Sequence, residues 1–138
     1  MERQTIWDPL RKKQVALTPE ERVRQWFIGI LSKDCAVPVH MMMSEVSIKL
    51  GSKPWRADIL VWDREQKPLA VIECKRPETA LDRTVLEQAV RYNMALGVRC
   101  IVITNGTATF VATRGGDGGF NFSGRMPVYE EMLKLCQQ

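Results

Sequence analysis

The 138-residue chain reads as a mixed α/β (α+β) domain with the element order αβββαββ, and three observations carry that reading. The β-branched and aromatic runs Ile59-Leu60-Val61-Trp62 and Leu69-Ala70-Val71-Ile72 are parted by the polar Asp63-Arg64-Glu65-Gln66-Lys67-Pro68, which spells strand, turn, strand. Val23, Phe27, Ile30 and Leu31 recur at helical spacing ahead of them. A second helical stretch separates the strand ending at Glu73-Cys74-Lys75 from the run Cys100-Ile101-Val102-Ile103-Thr104. A helix placed between two strands favours their parallel pairing through a right-handed crossover.

Taken in order, residues 1–17 form a polar arm, residues 18–114 the core, and residues 115–138 a connector and a C-terminal helix, all within one domain. Thr18-Pro19-Glu20-Glu21 has the form of an N-cap threonine, a proline at the first helical position and acids in the first turn. The helix it opens runs to about Ser32. Ser44 to Leu50 alternates polar and apolar and makes a strand with one wetted face. Gly51-Ser52-Lys53-Pro54 turns it into the strand carrying Asp58, so that residues 44–75 form an antiparallel meander. The second helix spans Thr79 to Leu96 and ends at Gly97, which suits a left-handed cap. Ala108 to Ala112 is the last strand, and a short helix covers Val128 to Cys136.

The chemistry concentrates on the hairpin. If residues 64–67 form its loop, Asp63 faces Pro68, Trp62 faces Leu69, Leu60 faces Val71, and Asp58 faces Glu73. Directly opposed side chains lie roughly 4.5–5.5 Å apart at Cβ, and like charges there destabilise the pair unless something compensates. Lys75 shares the face of Glu73, and Cys74 points to the other side with Ile72 and Ala70. Two acids and one amine therefore crowd one face. Hard oxygen donors so close make a site for Mg²⁺ or a similar cation, which is held by one or two carboxylates and keeps several waters. The alternative is an exposed strand blunted by charge, but the run Leu69 to Ile72 is continuously apolar, as in a strand covered on both faces, and a buried acid at its end needs a partner.

Ala57-Asp58 with Glu73-Cys74-Lys75 resembles the PD-(D/E)XK nuclease superfamily, with alanine where the family name has proline. More of the chain is similar to a narrower group. Asp8-Pro9-Leu10-Arg11-Lys12-Lys13, Ala16 to Gln25, the Asp58 and Glu73-Cys74-Lys75 positions, Gln88-Ala89-Val90-Arg91-Tyr92-Asn93 and Val102-Ile103-Thr104-Asn105-Gly106 look like the N-terminal nuclease domain of type I restriction enzyme R subunits and its free-standing bacterial relatives. The resemblance implies a restriction-endonuclease-like αβββαβ core, a mixed central sheet flanked by helices. It implies that Asp58 and Glu73 hold Mg²⁺, for which Mn²⁺ substitutes, with the Cys74 backbone carbonyl as a further ligand and Lys75 as the group that positions or deprotonates the attacking water. It brings a glutamate of the first helix to the metal, which maps to Glu20 with Glu21 as alternate; two acids that simply complement the helix dipole are the competing explanation. Some relatives carry an iron–sulfur cluster on four cysteines, but Cys74 lies inside the active strand here, which leaves too few thiols.

Gln88 and Tyr92 stand four apart and project from one helix face, matching a Gln-x-x-x-Tyr signature of similar nucleases. An amide and a phenol can orient a carboxylate or touch a phosphate without adding charge. Lys53, Arg56, Arg76 and Arg91, with Arg83 and Arg99, are candidate grips on a phosphate backbone or equally a solvated surface. Trp55 is either a stacking platform for an unpaired base or packing at a strand entry. Met41-Met42-Met43 reads as apolar filler before the first strand.

Composition narrows the rest. The chain is 45% hydrophobic and 26% charged, with net charge +4 and a sequence pI near 9.0, values that suit one packed core and are compatible with nucleic acid. No signal-like or membrane-length apolar run appears, so a cytoplasmic protein without membrane contact is expected. Cys35, Cys74, Cys100 and Cys136 form no C-x-x-C pair, and His40 is the only histidine, against a zinc or histidine-based hydrolase. Arg114-Gly115-Gly116-Asp117-Gly118-Gly119 lacks the lysine and hydroxyl of a phosphate loop and reads as a connector. No G-x-x-x-x-G-K-[ST] occurs in the chain, so ATP-driven movement on DNA is not expected from these residues. The expected activity is metal-dependent DNA endonuclease cleavage, with a homodimer as one route to double-strand cuts. The rivals are a non-catalytic DNA-binding module that keeps the fold and an interaction subunit that acts with a restriction-modification partner, a motor or a methyltransferase.

Overall fold

The computed structural model describes residues 3–136 and, at residues 48 and 50, the backbone alone. Its centre is a six-stranded sheet of β3 (Met42–Leu50), β4 (Lys53–Trp62), β5 (Pro68–Cys74), β6 (Cys100–Thr104), β7 (Thr109–Arg114) and β8 (Phe120–Ser123), in that spatial order. Every neighbouring pair is antiparallel except β5 and β6, which run parallel. That exception is the crossover expected around the second helix.

Two apolar layers sandwich the sheet. On one side α1 (Pro19–Gly29) sets Val23, Phe27 and Ile28 against Ile59, Val61, Ile72 and Cys74, and α3 (Tyr129–Leu133) adds Tyr129 and Met132. On the other side α2 (Arg83–Asn93) sets Leu86 and Ala89 against Leu60, Val71, Ile101 and Ile103. Thr18 caps α1 by accepting the Glu21 N–H at 3.1 Å, and Asp82 caps α2 by accepting the Val85 N–H at 2.9 Å. α1 runs on into a π-helical turn at Ile30–Asp34, and Gly97 closes the turn after α2 at φ +67°, the left-handed geometry expected of it. Among the described residues no helix is long and apolar enough to cross a membrane.

Four expectations need correction. The polar arm is a two-stranded hairpin, β1 (Thr5–Asp8) and β2 (Lys13–Ala16), closed at its turn by fully buried Asp8, which accepts the Leu10 N–H and the Arg11 guanidinium. With only Ile6, Trp7 and Val15 as large apolar strand formers, polar closure rather than apolar alternation organises it. The glycine-rich stretch is the turn of a second hairpin, not a free connector: β8 follows it, with Gly118 at φ +85° and a Gly115 N–H donated to the Gly119 carbonyl. Met42 and Met43 belong to β3, and Met42 is core. The second helix begins at Arg83 rather than Thr79, because Asp82 is the residue that caps it.

The hairpin register follows the sequence reading in its middle and departs at its tip. Leu60 pairs with Val71 as expected, but a bulge between Val61 and Trp62 pairs Trp62 with Pro68. The cause is Asp63, 2% exposed, whose carboxylate accepts the Glu65 and Lys67 N–H groups at 2.8 and 2.9 Å and Arg99 Nη2 at 2.6 Å. Arg99 is therefore a structural ion, 4% exposed and also bonded to the Leu133 carbonyl, not a cation for phosphate.

Candidate active site

The centre of β4 breaks the rule that alternate residues share a face. Trp55 and Ala57 pack on the α2 side with Leu60, whereas Ile59 and Val61 pack on the α1 side, so the strand changes face at Asp58. Across from it the β3–β4 ladder joins Ser44 to Ile59 and Val46 to Ala57 but skips Glu45 and Asp58. Glu45 sits at φ +55°, a conformation that costs a non-glycine residue on the order of 1–3 kcal/mol and tends to survive at functional sites. The local distortion lifts both carboxylates out of the ladder.

They enter an open cleft of about 370 Å³ lined by Glu20, Arg24, Glu45, Arg56, Asp58, Glu73, Lys75 and Tyr92, with the strand residues Val46, Ala57 and Cys74 as its floor. The β4–β5 ladder ends at Ile59 and Ile72; one further step puts Asp58 opposite Glu73, and both line the cleft. Asp58 Oδ2 accepts the Cys74 N–H at 2.7 Å, and Asp58 Oδ1 lies 3.3 Å from Arg24 Nη2. Lys75 Nζ stands 3.7 Å from Glu73 Oε2. The Asp58, Glu73 and Lys75 side chains are 23%, 30% and 40% exposed, reachable yet partly shielded from solvent. The Cys74 thiol turns into the α1-side core; burial first, then the Asp58 carboxylate, pushes its pKa well above the ordinary thiol value. Only its backbone is available to the cleft.

The remaining candidates divide clearly. Glu20 lines the cleft, whereas Glu21 is buried and bonded by Arg11 Nη2 at 2.6 Å, Arg24 Nη1 at 2.9 Å and Gln25 Nε2 at 3.0 Å. Of the two acids, the structure places Glu20 where a ligand could meet it. The Tyr92 hydroxyl spans from α2 to β4 and accepts the Arg56 N–H at 3.1 Å, but Gln88 is exposed and outside the lining residues. Arg56 lines the cleft; Lys53 and Arg91 are exposed outside it. Arg76 pairs with Glu78 at 2.8 Å, and Arg83 pairs with Glu87 at 3.3 Å while covering the Phe122 ring. Trp55 is packing: it is 2% exposed and donates its indole N–H to Asn93 Oδ1 at 2.9 Å.

Arg24 and Glu45 went unnoticed in the sequence. Arg24 stands four residues after Glu20 on one helix face, the one signal that linked it to the site. Nothing in a strand marks Glu45 before its pairing with β4 is known.

The donor set suits a hard divalent cation. Asp58 and Glu73 offer carboxylate oxygens from adjacent strands, and Arg24 already lays a positive charge against Asp58. Among the described residues no group of three or more His, Cys, Asp and Glu side chains is gathered tightly enough for an all-protein cage. Mg²⁺ does not need one, being commonly held by one or two carboxylates with water and substrate phosphate.

Comparison with known proteins bears on the family and the fold. The family model for the type I restriction enzyme R protein N terminus (HSDR_N) matches residues 19–127. The chain belongs to this family. The HSDR_N fold is shared with a fragment structure described as an HsdR subunit of a type I restriction enzyme from Vibrio vulnificus YJ016, with a TM-score of 0.61 and 23% identity over 86% of this chain. The chain spans 25% of that one. A protein belonging to DUF820 from Anabaena variabilis ATCC 29413 shares the fold at a TM-score of 0.52 and 11% identity, covering 94% of this chain and 84% of that one. No curated protein matches the sequence. The HSDR_N match begins at Pro19, beyond the β1–β2 hairpin, and includes every cleft residue.

Proposed function

We propose that this nuclease-like domain is a Mg²⁺-dependent DNA endonuclease whose site is the Asp58–Glu73–Lys75 cleft. The observation that carries this reading is the charge composition of the cleft, where four carboxylates (Glu20, Glu45, Asp58, Glu73) meet three cations (Arg24, Arg56, Lys75). A phosphodiester does not approach such a surface favourably without a further positive charge. Asp58 and Glu73 would hold the ion, with Glu20 and the Cys74 carbonyl nearest to complete its shell. When bound, Mg²⁺, or Mn²⁺ in its place, supplies Lewis-acid neutralisation of the phosphate.

The chain's own groups do the rest. Lys75 is close enough to Glu73 to be held by it, and its ammonium orients the attacking water and offsets negative charge developing at phosphorus. Water oxygen bonds to phosphorus as an ester oxygen leaves with a proton. Tyr92 ties α2 to the β4 backbone at Arg56, so that the guanidinium beside it contacts a neighbouring phosphate, with Lys53, Arg91 and Arg76 as outlying contacts. Gln88 stands one turn before Tyr92 and would meet the DNA rather than the ion. DNA is the proposed substrate, and a cytoplasmic restriction-modification setting, alone, as a homodimer or beside a motor subunit, is the proposed context.

The test is nicking of supercoiled plasmid by the purified protein in Mg²⁺ and in Mn²⁺, beside Asp58→Asn and Lys75→Ala. Cutting by the wild type that either substitution reduces by on the order of a hundredfold or more is expected. Cutting that survives Asp58→Asn unchanged removes the site. No cutting by the wild type, with cleavage appearing only beside a partner subunit, favours the interaction module.

A further inference from the structure

The Arg24 side chain is 4% exposed, yet three carboxylates from three different elements converge on its guanidinium. Nη1 donates to Glu21 of α1 at 2.9 Å and Nη2 donates to Asp58 of β4 at 3.3 Å, while Glu45 of β3 forms an ion pair with Nη2 at 2.8 Å. Its Nε is buried and has no hydrogen-bond partner. The Asp58 contact is the longest of the three, and Asp58 is the one carboxylate of the set that the proposed metal must share.

We infer that Arg24 is a built-in stand-in for the divalent cation: it occupies Asp58 Oδ1 when no ion is bound and yields that oxygen when one arrives. The inference rests on the metal reading given above. A guanidinium and a divalent ion on the same carboxylate oxygen repel each other at close range, so the arriving ion displaces the longer Arg24 contact. Arg24 can leave without being stranded, because Glu21 and Glu45 keep it paired and the cost of a lone buried charge is avoided. Glu21 is itself held by Arg11, which in turn is held by Asp8, so the anchor on which Arg24 falls back is firm. The exchange holds the Glu45 and Asp58 carboxylates together in the resting protein and places a cation beside the reacting phosphate in the loaded one. Arg24 is a positioning residue in this scheme, acting through Asp58.

The experiment is Mn²⁺ binding, followed by electron paramagnetic resonance of the free ion, for the wild type, Arg24→Gln, Arg56→Gln and Asp58→Asn. Arg24→Gln is expected to tighten Mn²⁺ binding roughly five- to tenfold through loss of a competing contact charge, Arg56→Gln much less, and Asp58→Asn to abolish the site. A second measurement reads the wild type directly: its Arg24 Nε–Hε resonance shifts as Mg²⁺ is added, and the same resonance stays still in Asp58→Asn. If the wild type binds Mn²⁺ through Asp58 but Arg24→Gln binds equally or more weakly and the Nε signal does not move, the exchange is overturned while the metal reading stands. If neither wild type nor Arg24→Gln shows binding that depends on Asp58, both fall.

Discussion

Two aspartates lie five positions apart on one strand-and-turn unit, each facing an arginine, and their surroundings are opposite. Asp63 at the tip is 2% exposed; its oxygens take two backbone N–H groups and Arg99 at 2.6 Å, and Arg99 is itself capped by main-chain carbonyls. Asp58 at the centre is 23% exposed on its side chain, takes one backbone N–H, and meets Arg24 at 3.3 Å across an open cleft. Asp8 with Arg11 in the N-terminal hairpin repeats the closed arrangement. An aspartate–arginine pair is structural when every lone pair is spoken for inside the protein. It is available for chemistry when one oxygen is held weakly and can be released.

That contrast can be broken in order of effect. Asp58→Asn keeps an acceptor for the Cys74 N–H, so unfolding in urea should match the wild type while plasmid cutting falls by on the order of a hundredfold or more; a large stability loss would mean Asp58 is as structural as Asp63. Asp63→Ala should do the reverse, lowering unfolding free energy by roughly 3–5 kcal/mol because Arg99 is left buried without its carboxylate. Residual cutting per folded molecule should stay near wild type. An unchanged urea midpoint for Asp63→Ala would erase the distinction.

Asp8 sharpens the comparison through pH. Burial pushes its carboxyl up, but bonds from Arg11, the Leu10 N–H and Gln25 outweigh burial and leave the pKa below the ordinary value. A carboxylate depressed on folding stabilises fully above its unfolded pKa and loses that contribution as pH falls through the folded one. Wild type should therefore exceed Asp8→Asn in thermal stability at pH 7, with the gap closing below about pH 4; a gap that widens in acid contradicts the burial and bonding described. The smallest effect expected is Thr18→Ala, about 1 kcal/mol of stability from loss of the α1 cap, read by urea unfolding, with a modest fall in cutting because Glu20 and Arg24 ride on that helix.

Legibility followed the reach of each interaction. The core strands, both long helices, the parallel step after α2 and the Leu60–Val71 register were readable because periodicity and caps are local. Residues 5–16 and 115–123 were not legible for the same reason: their strands rest on Asp8, on turn geometry and on pairing to a sheet edge rather than on an apolar pattern. Arg99 looked like a free cation until its distance to Asp63 was known. Gln88 and Tyr92 share a helix face, but only Tyr92 lines the cleft, since the helix axis sets which turn reaches β4.

By itself the order of residues determined that two acids and an amine would meet where the end of β5 lies against β4, because strand period and hairpin length are properties of consecutive residues. What the tertiary structure alone decided is the state of those acids. The face change at Asp58, the left-handed Glu45 and the arrival of Arg24 from a helix 34 positions earlier in the chain arise from packing between elements, where charge is distributed by distance in space and not by distance along the chain.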